Sequence, residues 1–344
     1  MSHSTPPRTQ RGAAALIVTL LLFLALALLA FGMKRYLLIE QRSATNHARA
    51  AQAFEAAEAG LDWAQGALNN TRTVGADCRP SADPAAKSFR ARFLQLDRAS
   101  GDISPTSGQT ACVRNVNGWS CRCDGQTAPP TGAEGSLVTP SFVLSFQAAP
   151  RARTVRVVAT STAAPDAAAH IEATLGLYAG LRTAPGNAIT TRDMTDLTTD
   201  RFFSAWFGID KASWRDQPVV GRIACAGSCG RDVEATISGG HELIWIDGDA
   251  TLTGPLALGS AARPVVLVAT GRVRLDSGVA IHGAVYAGSV MLAGADNAVH
   301  GAVLSEGLYA GPTDPAVHRD IDVLAALTHQ TGTFVRIPGS WRDF

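Results

Sequence analysis

The chain has 344 residues, enough to bury a sizeable core in one or two domains. Its 30 Lys and Arg against 29 Asp and Glu leave a formal net charge of +1, which supplies no concentrated basic surface and argues against a nucleic-acid partner.

Between Arg11 and Lys34 no side chain is charged; Gly12 is followed by Ala13 to Met33, almost wholly Ala, Leu, Val and Phe. An apolar helix of about 20 residues spans a bilayer's hydrocarbon core, since each residue rises about 1.5 Å. The helical pattern then continues: Leu37, Ala44, Ala48, Ala51, Phe54, Ala57, Leu61, Ala64 and Leu68 recur as an amphipathic stripe. We expect one helix over roughly Ala13 to Leu68, about 80 Å if unbroken, half in lipid and half outside it. A cleaved secretory signal with Arg8 and Arg11 as its basic region is the alternative, but the long periodic continuation favours a retained anchor. Arg8 and Arg11 on one side face Lys34, Arg35 and Arg42 on the other, so charge bias does not set orientation.

Cys78, Cys112, Cys121, Cys123, Cys225 and Cys229 all follow the apolar run. An even set beyond a membrane segment suits disulfides in an oxidising compartment. Zinc fits poorly, because Cys121-Arg122-Cys123 has one residue between its thiols where zinc pairs carry two to four. Cys225 and Cys229 read as a local pair. The other four staple residues 78 to 123, in a connectivity the sequence leaves open.

Residues 71 to 135 are rich in Gly, Pro, Ser, Thr and Asp, with a weakly helical insert around Lys87 to Leu96. Ser141–Gln147, Thr154–Thr162 and His170–Tyr178 then carry β-type Val, Ile and Leu patterns with prolines between them, which predicts a three-strand antiparallel meander. Such a sheet needs one face covered, and the amphipathic half of the long helix is available. Asp200–Gly208, with Phe202, Phe203, Trp206 and Phe207, reads as a short helix with an aromatic core face.

From Leu243 the texture changes to short apolar runs split by Gly, Asp, Ser and Asn. Ile281-His282-Gly283-Ala284-Val285, Val299-His300-Gly301-Ala302-Val303 and Val317-His318 recur about 18 residues apart, a period of the kind β-solenoids show. A compact β-sandwich of short strands is the alternative. In a solenoid His282, His300 and His318 stack as a ladder, more readily structural than metal-binding. Ile321–Leu327 is expected to cap the coil's open end, and the aromatic tail from Ile337 to Phe344 to dock onto the domain. The predicted fold class is α+β: a long N-terminal transmembrane and amphipathic helix packed on an antiparallel sheet, then a β-solenoid-like or other β-rich C-terminal domain.

No catalytic residue, metal site or cofactor is nominated. Asp247-Gly248-Asp249 lacks the further spaced oxygens of a calcium loop and reads as a turn. His241-Glu242 lacks the second His of a zinc protease helix. Solenoid enzymes need clustered carboxylates, and the region offers mainly Asp247, Asp249, Asp276 and Asp296.

Arg11-Gly12-Ala13-Ala14-Ala15-Leu16-Ile17, followed by Ala53-Phe54-Glu55-Ala56-Ala57-Glu58-Ala59-Gly60-Leu61, resembles the N-terminal region of PilX-type minor pilins of the type IV pilus. The resemblance covers roughly residues 8 to 68, the three-strand region also looks like that family's head, and the solenoid-like segment and the Pro338-to-Phe344 ending more loosely resemble its longer members. It implies a leader over 1–12, cut between Gly12 and Ala13 by prepilin peptidase, with Ala13 as an N-methylated terminus. It implies a single-pass protein in the inner membrane with its head in the periplasm, later moved to the pilus at the cell surface. Other minor pilins, the major pilin and inner-membrane lipid are the implied partners, with a tip adhesin as a further one. Phe54, Glu58 and Leu61 would join Ile17 in helix packing. Where such pilins carry a Glu five residues after the cut, this chain has Ile17. A buried carboxylate there needs a partner, and a subunit without it has lost one assembly contact. By analogy with the tip pseudopilin of type II secretion fibres, which lacks the same Glu, the expected place is at or near the pilus tip, in an initiating complex. The expected division is 1–12, 13–70, 71–220 as a disulfide-stapled head, and 221–344 as the β-rich domain. A surface adhesin using the solenoid and a type II secretion pseudopilin are the alternative functions.

Overall fold

A computed structural model describes residues 11–83, 85–126, 139–164, 167–225, 227–312 and 316–344. Contacts divide the chain after Gln52 into an N-terminal unit and a larger unit, Ala53–Phe344.

The described part of the first unit is entirely helical, the front of helix Arg11–Leu68. Most of the expected leader, residues 1–10, lies outside the described residues; of Gly12 and Ala13 only the backbone is described. Every Leu, Ile, Val, Phe, Met and Tyr from Leu16 to Ile39 is at least 50% exposed. This helix is long and apolar enough to cross a membrane.

In the second unit the last turns of the helix pack on an antiparallel sheet. The sheet runs, edge to edge, Gly332–Arg336, Ala167–Ala179, Thr154–Ala164, Ser141–Ala148, Thr110–Asn115 and Gly118–Arg122. The helix buries Ala53, Ala56, Ala57, Leu61, Ala64 and Leu68. Ala57, Leu61, Ala64 and Leu68 share a core with Phe142, Leu144, Val157, Ala159 and Ile171 of the sheet. Small residues on this face let the helix come close: a Cβ on Gly60 would stand 3.1 Å from the Phe142 ring. The expected stripe is corrected here. Ala44, Ala48 and Ala51 are exposed. Burial starts only at Ala53, whose carbonyl accepts a hydrogen bond from the Ser161 hydroxyl. Phe54 stands 37% exposed at the flank of the buried face.

Of the expected helical insert, only Phe89–Phe93 is helix; Leu94–Leu96 continues as a strand paired with Ile103–Pro105. Ser88 starts the helix by accepting a hydrogen bond from Ala91 N through its hydroxyl. Phe89 and Phe93 reach the sheet core.

After Ala179 the chain leaves this sheet. It returns at Gly332, and Gly180 N donates to the Thr331 carbonyl at 2.8 Å where the two paths meet. The chain leaves the head sheet at Gly180, and its last strands pair with Ala167–Ala179 rather than extending the coil.

The excursion is a parallel β-solenoid. One side stacks Val220–Ala224, Leu243–Asp247, Val265–Ala269 and the second halves of Val279–Ala287 and Ala298–Ser305. A second side stacks Gly227–Ser228, Ala250–Leu252, Arg272–Leu275, Ser289–Leu292 and Tyr309–Ala310. The third side stacks Leu256–Leu258, the first halves of the two long strands, and Val317–His318. The interior is a continuous aliphatic stack that includes Ile246, Leu252, Leu258, Leu267, Leu275, Ile281, Val285, Leu292 and Val303. Gly283 and Gly301 turn the corner between two sides. A Cβ on Gly301 would fall 2.0 Å from the Gly283 carbonyl oxygen, so no other residue fits the coil spacing there.

The expected cap is also corrected. Helix Ile321–His329 does not cover the coil's open end. Its Leu324 and Leu327 pack on the outer face of the first side, within an aromatic layer of Phe202, Phe203, Phe207, Trp214, Trp245 and Tyr286. Helix Gly230–Ser238 does reach the interior, through Val233 and Ile237. At the far end Ile189–Thr191, from earlier in the chain, pairs in parallel with Val303–Ser305.

Candidate functional site

Three features stand out from the hydrophobic cores: the exposed apolar helix, the seam between the helix and the C-terminal tail, and the disulfide-stapled edge of the head.

Ile17 is one of the exposed apolar side chains of the first unit, 59% exposed, with no carboxylate at that place in the sequence. Leu61 is only 2% exposed. It is a core residue of the head, and its surface is spent on the sheet. Phe54 and Glu58 point instead to the seam. Trp341 donates its indole N–H to Glu58 Oε1 at 2.9 Å, and its ring meets Phe54 edge-on at 6.1 Å between centroids. One turn further on, Arg336 Nη2 lies 2.6 Å from Asp62 Oδ1. The tail is fixed on its other side by the sheet. Arg342 and Asp343 pair with Glu172 and Ile171, and the Ser340 hydroxyl donates to the Thr174 carbonyl at 3.2 Å. Phe344 sits 5.6 Å from the His170 ring yet remains 76% exposed. The seam thus presents Phe54, Trp341 and Phe344 at the surface while joining helix, tail and sheet.

Two cystines lie at the opposite edge of the sheet, and a third lies in the solenoid. Cys112 and Cys121 are cross-strand partners joined to each other. Cys78 is joined to Cys123, closing a separation of 45 residues over the loop-rich segment. Cys225 is joined to Cys229, immediately before the helix that enters the solenoid interior.

Three of the carboxylates weighed for catalysis, Asp247, Asp249 and Asp276, have structural partners. Asp247 accepts the Trp245 indole N–H at 2.7 Å, and Asp249 accepts the Arg272 backbone N–H at 2.7 Å. Both shape the turn at Gly248, whose φ is +94°. Asp276 pairs with Arg274 at 2.8 Å. His282 and His300 stack at 4.7 Å, and His300 meets His318 edge-on at 6.4 Å, in register on adjacent coils. Burial first, and then neighbouring His300, lowers the His282 pKa, with Asp320 opposing. Among the described residues no three His, Cys, Asp or Glu side chains converge as a metal-holding group.

Sequence reasoning anticipated a docked tail but missed its partners. Trp341 and Arg336 are the residues that meet Glu58 and Asp62. The only signal was an aromatic and basic tail opposite acidic positions on the exposed flank of the helix.

An apolar helix long enough to cross a membrane, an antiparallel sheet backed by helix turns and a parallel β-solenoid define an α+β protein. Residues 11–62 match the family described as PilX N-terminal, which is consistent with a PilX-type minor pilin. The match takes in the apolar helix and the helix turns that carry Phe54, Glu58 and Leu61. No curated protein and no solved structure matches the chain.

Proposed function

We propose that this protein is a minor pilin of the type IV pilus that helps to initiate the fibre and sits at or near its tip. Before assembly its helix is held in the inner membrane with the head in the periplasm, and afterwards the protein belongs to the pilus at the cell surface. Prepilin peptidase removes residues 1–12, and the helix of the mature chain then packs with those of other minor pilins and the major pilin. The observation that carries this reading is the two-part helix. From Leu16 to Ile39 every large apolar side chain is exposed, whereas from Ala53 to Leu68 the small-residue face is buried under the sheet. The first part requires lipid or other apolar helices around it, and the second part carries a head as cargo. Ile17, where a carboxylate would pair with a neighbour's terminal amine, supports a place outside the repeating shaft. The size of the head supports the same place, since a solenoid of several coils crowds a helical shaft but not its end.

The mature N-terminus tests the entry step. Membranes with prepilin peptidase should yield a peptide starting at Ala13, and membranes without it should not. An intact Met1 start in both, or a cut beyond Met33, would remove the pilin reading. Tip placement is tested by gold labelling of the head on sheared pili: label at one end supports it, and label along the shaft opposes it.

A further inference from the structure

Apart from the seam, the larger unit holds a cavity of about 320 Å³ between the Phe89–Phe93 region, the first solenoid coils and the chain's return to the head sheet. Its walls include Lys87, Arg90, Glu242, Arg263, Gln330 and Thr331. The charges are unequal: three cationic side chains to one carboxylate.

Arg90 is a fixed wall. It is 7% exposed, and its guanidinium donates to the carbonyls of Leu68 at 2.9 Å, Gln330 at 3.1 Å and Gly332 at 3.0 Å. It also lies 5.1 Å over the Phe334 ring. Three of its five N–H groups are thereby used, and its charge has no carboxylate in ion-pair contact among the described residues. Glu242 is in the complementary position. Its backbone is fixed, since its carbonyl accepts from Val266 N at 2.8 Å, but its carboxylate has no hydrogen bond or ion pair among the described residues. Burial pushes this carboxyl above the usual carboxylate range, against the pull of Arg90 and Arg263. Arg263 is exposed at the rim.

A half-buried carboxylate that faces the cavity without a hydrogen-bond donor is open to a cationic partner. One carboxylate is too few for a metal, and no aromatic ring lines the cavity for a sugar to stack on. The excess of cations calls for a ligand with more acid than base. We infer that this cavity binds a small amino dicarboxylate, of the acidic amino acid class, with its ammonium at Glu242 and its carboxylates toward Lys87, Arg263 and the free N–H groups of Arg90.

Calorimetry on the full chain in detergent tests the assignment, with L-glutamate and L-aspartate as probes and glutarate as the amine-free control. At least one amino acid should bind. Glu242→Gln should weaken it at least tenfold while leaving glutarate binding unchanged, and Arg263→Ala should weaken both. Absence of binding by both amino acids at millimolar concentration would overturn the inference, as would equal affinity in Glu242→Gln. The variant should fold, because a raised carboxyl pKa means that ionisation opposes the native state. Stability from this group is full below the ordinary Glu value and lost as pH rises through the raised one. Glu242→Gln should therefore melt higher than the parent at neutral pH.

Discussion

The indole N–H of Trp341 donates to the carboxylate of Glu58 across 283 residues of chain. The bond joins the last residues of the protein to the face of the long helix that the sheet leaves uncovered, and Phe54 closes the same contact with its ring. Glu58 thus has a partner within its own chain. Any neighbour that uses this face must meet the tail as well.

Trp341→Phe should keep the ring contact and lose the hydrogen bond, at about 1 kcal/mol of unfolding free energy. Trp341→Ala should cost more, about 2 kcal/mol, because the edge-on contact with Phe54 is lost too. Urea unfolding of the two variants against the parent measures both; equal losses would show that the ring contact contributes nothing, and no loss in Trp341→Phe that the hydrogen bond contributes nothing.

The cystines should differ in weight. Cys78 and Cys123 close a separation of 45, and loop-closure entropy assigns such a link about 4 kcal/mol. Cys225 and Cys229 close a separation of only 4, for which the same relation gives about 2 kcal/mol. Paired Cys→Ser replacements, followed by thermal unfolding, should rank the first link above the second.

Gly301→Ala should disrupt the coil. The added methyl meets a backbone carbonyl that cannot swing aside, at a φ of +143°. We expect a loss of at least about 2 kcal/mol, from overlap and backbone strain together. Hydrogen exchange should localise the loosening to the coils around Ala298–Ser305, with the helix-backed sheet still protected.

Acid should weaken the fold near the ordinary histidine range. His282 is lowered by burial and then by His300, with Asp320 opposing. His329 is lowered by burial and then by Arg153, whose Nη2 lies 3.0 Å from its Nδ1, with Asp97 opposing. For both, the native state favours the neutral ring. Their stability is complete above the ordinary value of about 6.5 and is lost as pH falls below it through the lowered native values. Melting temperatures from pH 8 to pH 5 should fall, and the fall should be shallower in His282→Gln and His329→Gln.

The helix, the meander and most coil strands were legible because each writes its period directly. Ala53 to Leu68 repeats at the helical spacing, and Ile281, Val299 and Val317 recur once per coil. Gly283 and Gly301 marked the corner in the same phrase as the histidines. Boundaries set by tertiary structure were not legible. Ala44 and Ala51 carry the same pattern as Ala57, but only Ala57 has a sheet beneath it. The role of Ile321–His329 was misjudged because an apolar helix after the last coil reads alike whether it covers an end or a flank. Leu324 and Leu327 find the flank because Trp245, Tyr286 and their aromatic neighbours form an apolar layer there. The Glu242 cavity was opaque, since Arg90 and Glu242 are far apart in sequence and neither stands in a motif.

The hydrogen bond between Gly180 and Thr331 has a mechanical consequence. The chain departs from and rejoins the head at one point, on the strand that lies beside the helix-backed core. Tension entering through the helix can pass into the sheet and its tail without crossing a single coil. The solenoid is inserted at that one point, so its coils could lengthen, shorten or change their outer face while the helix, sheet and tail stay the same.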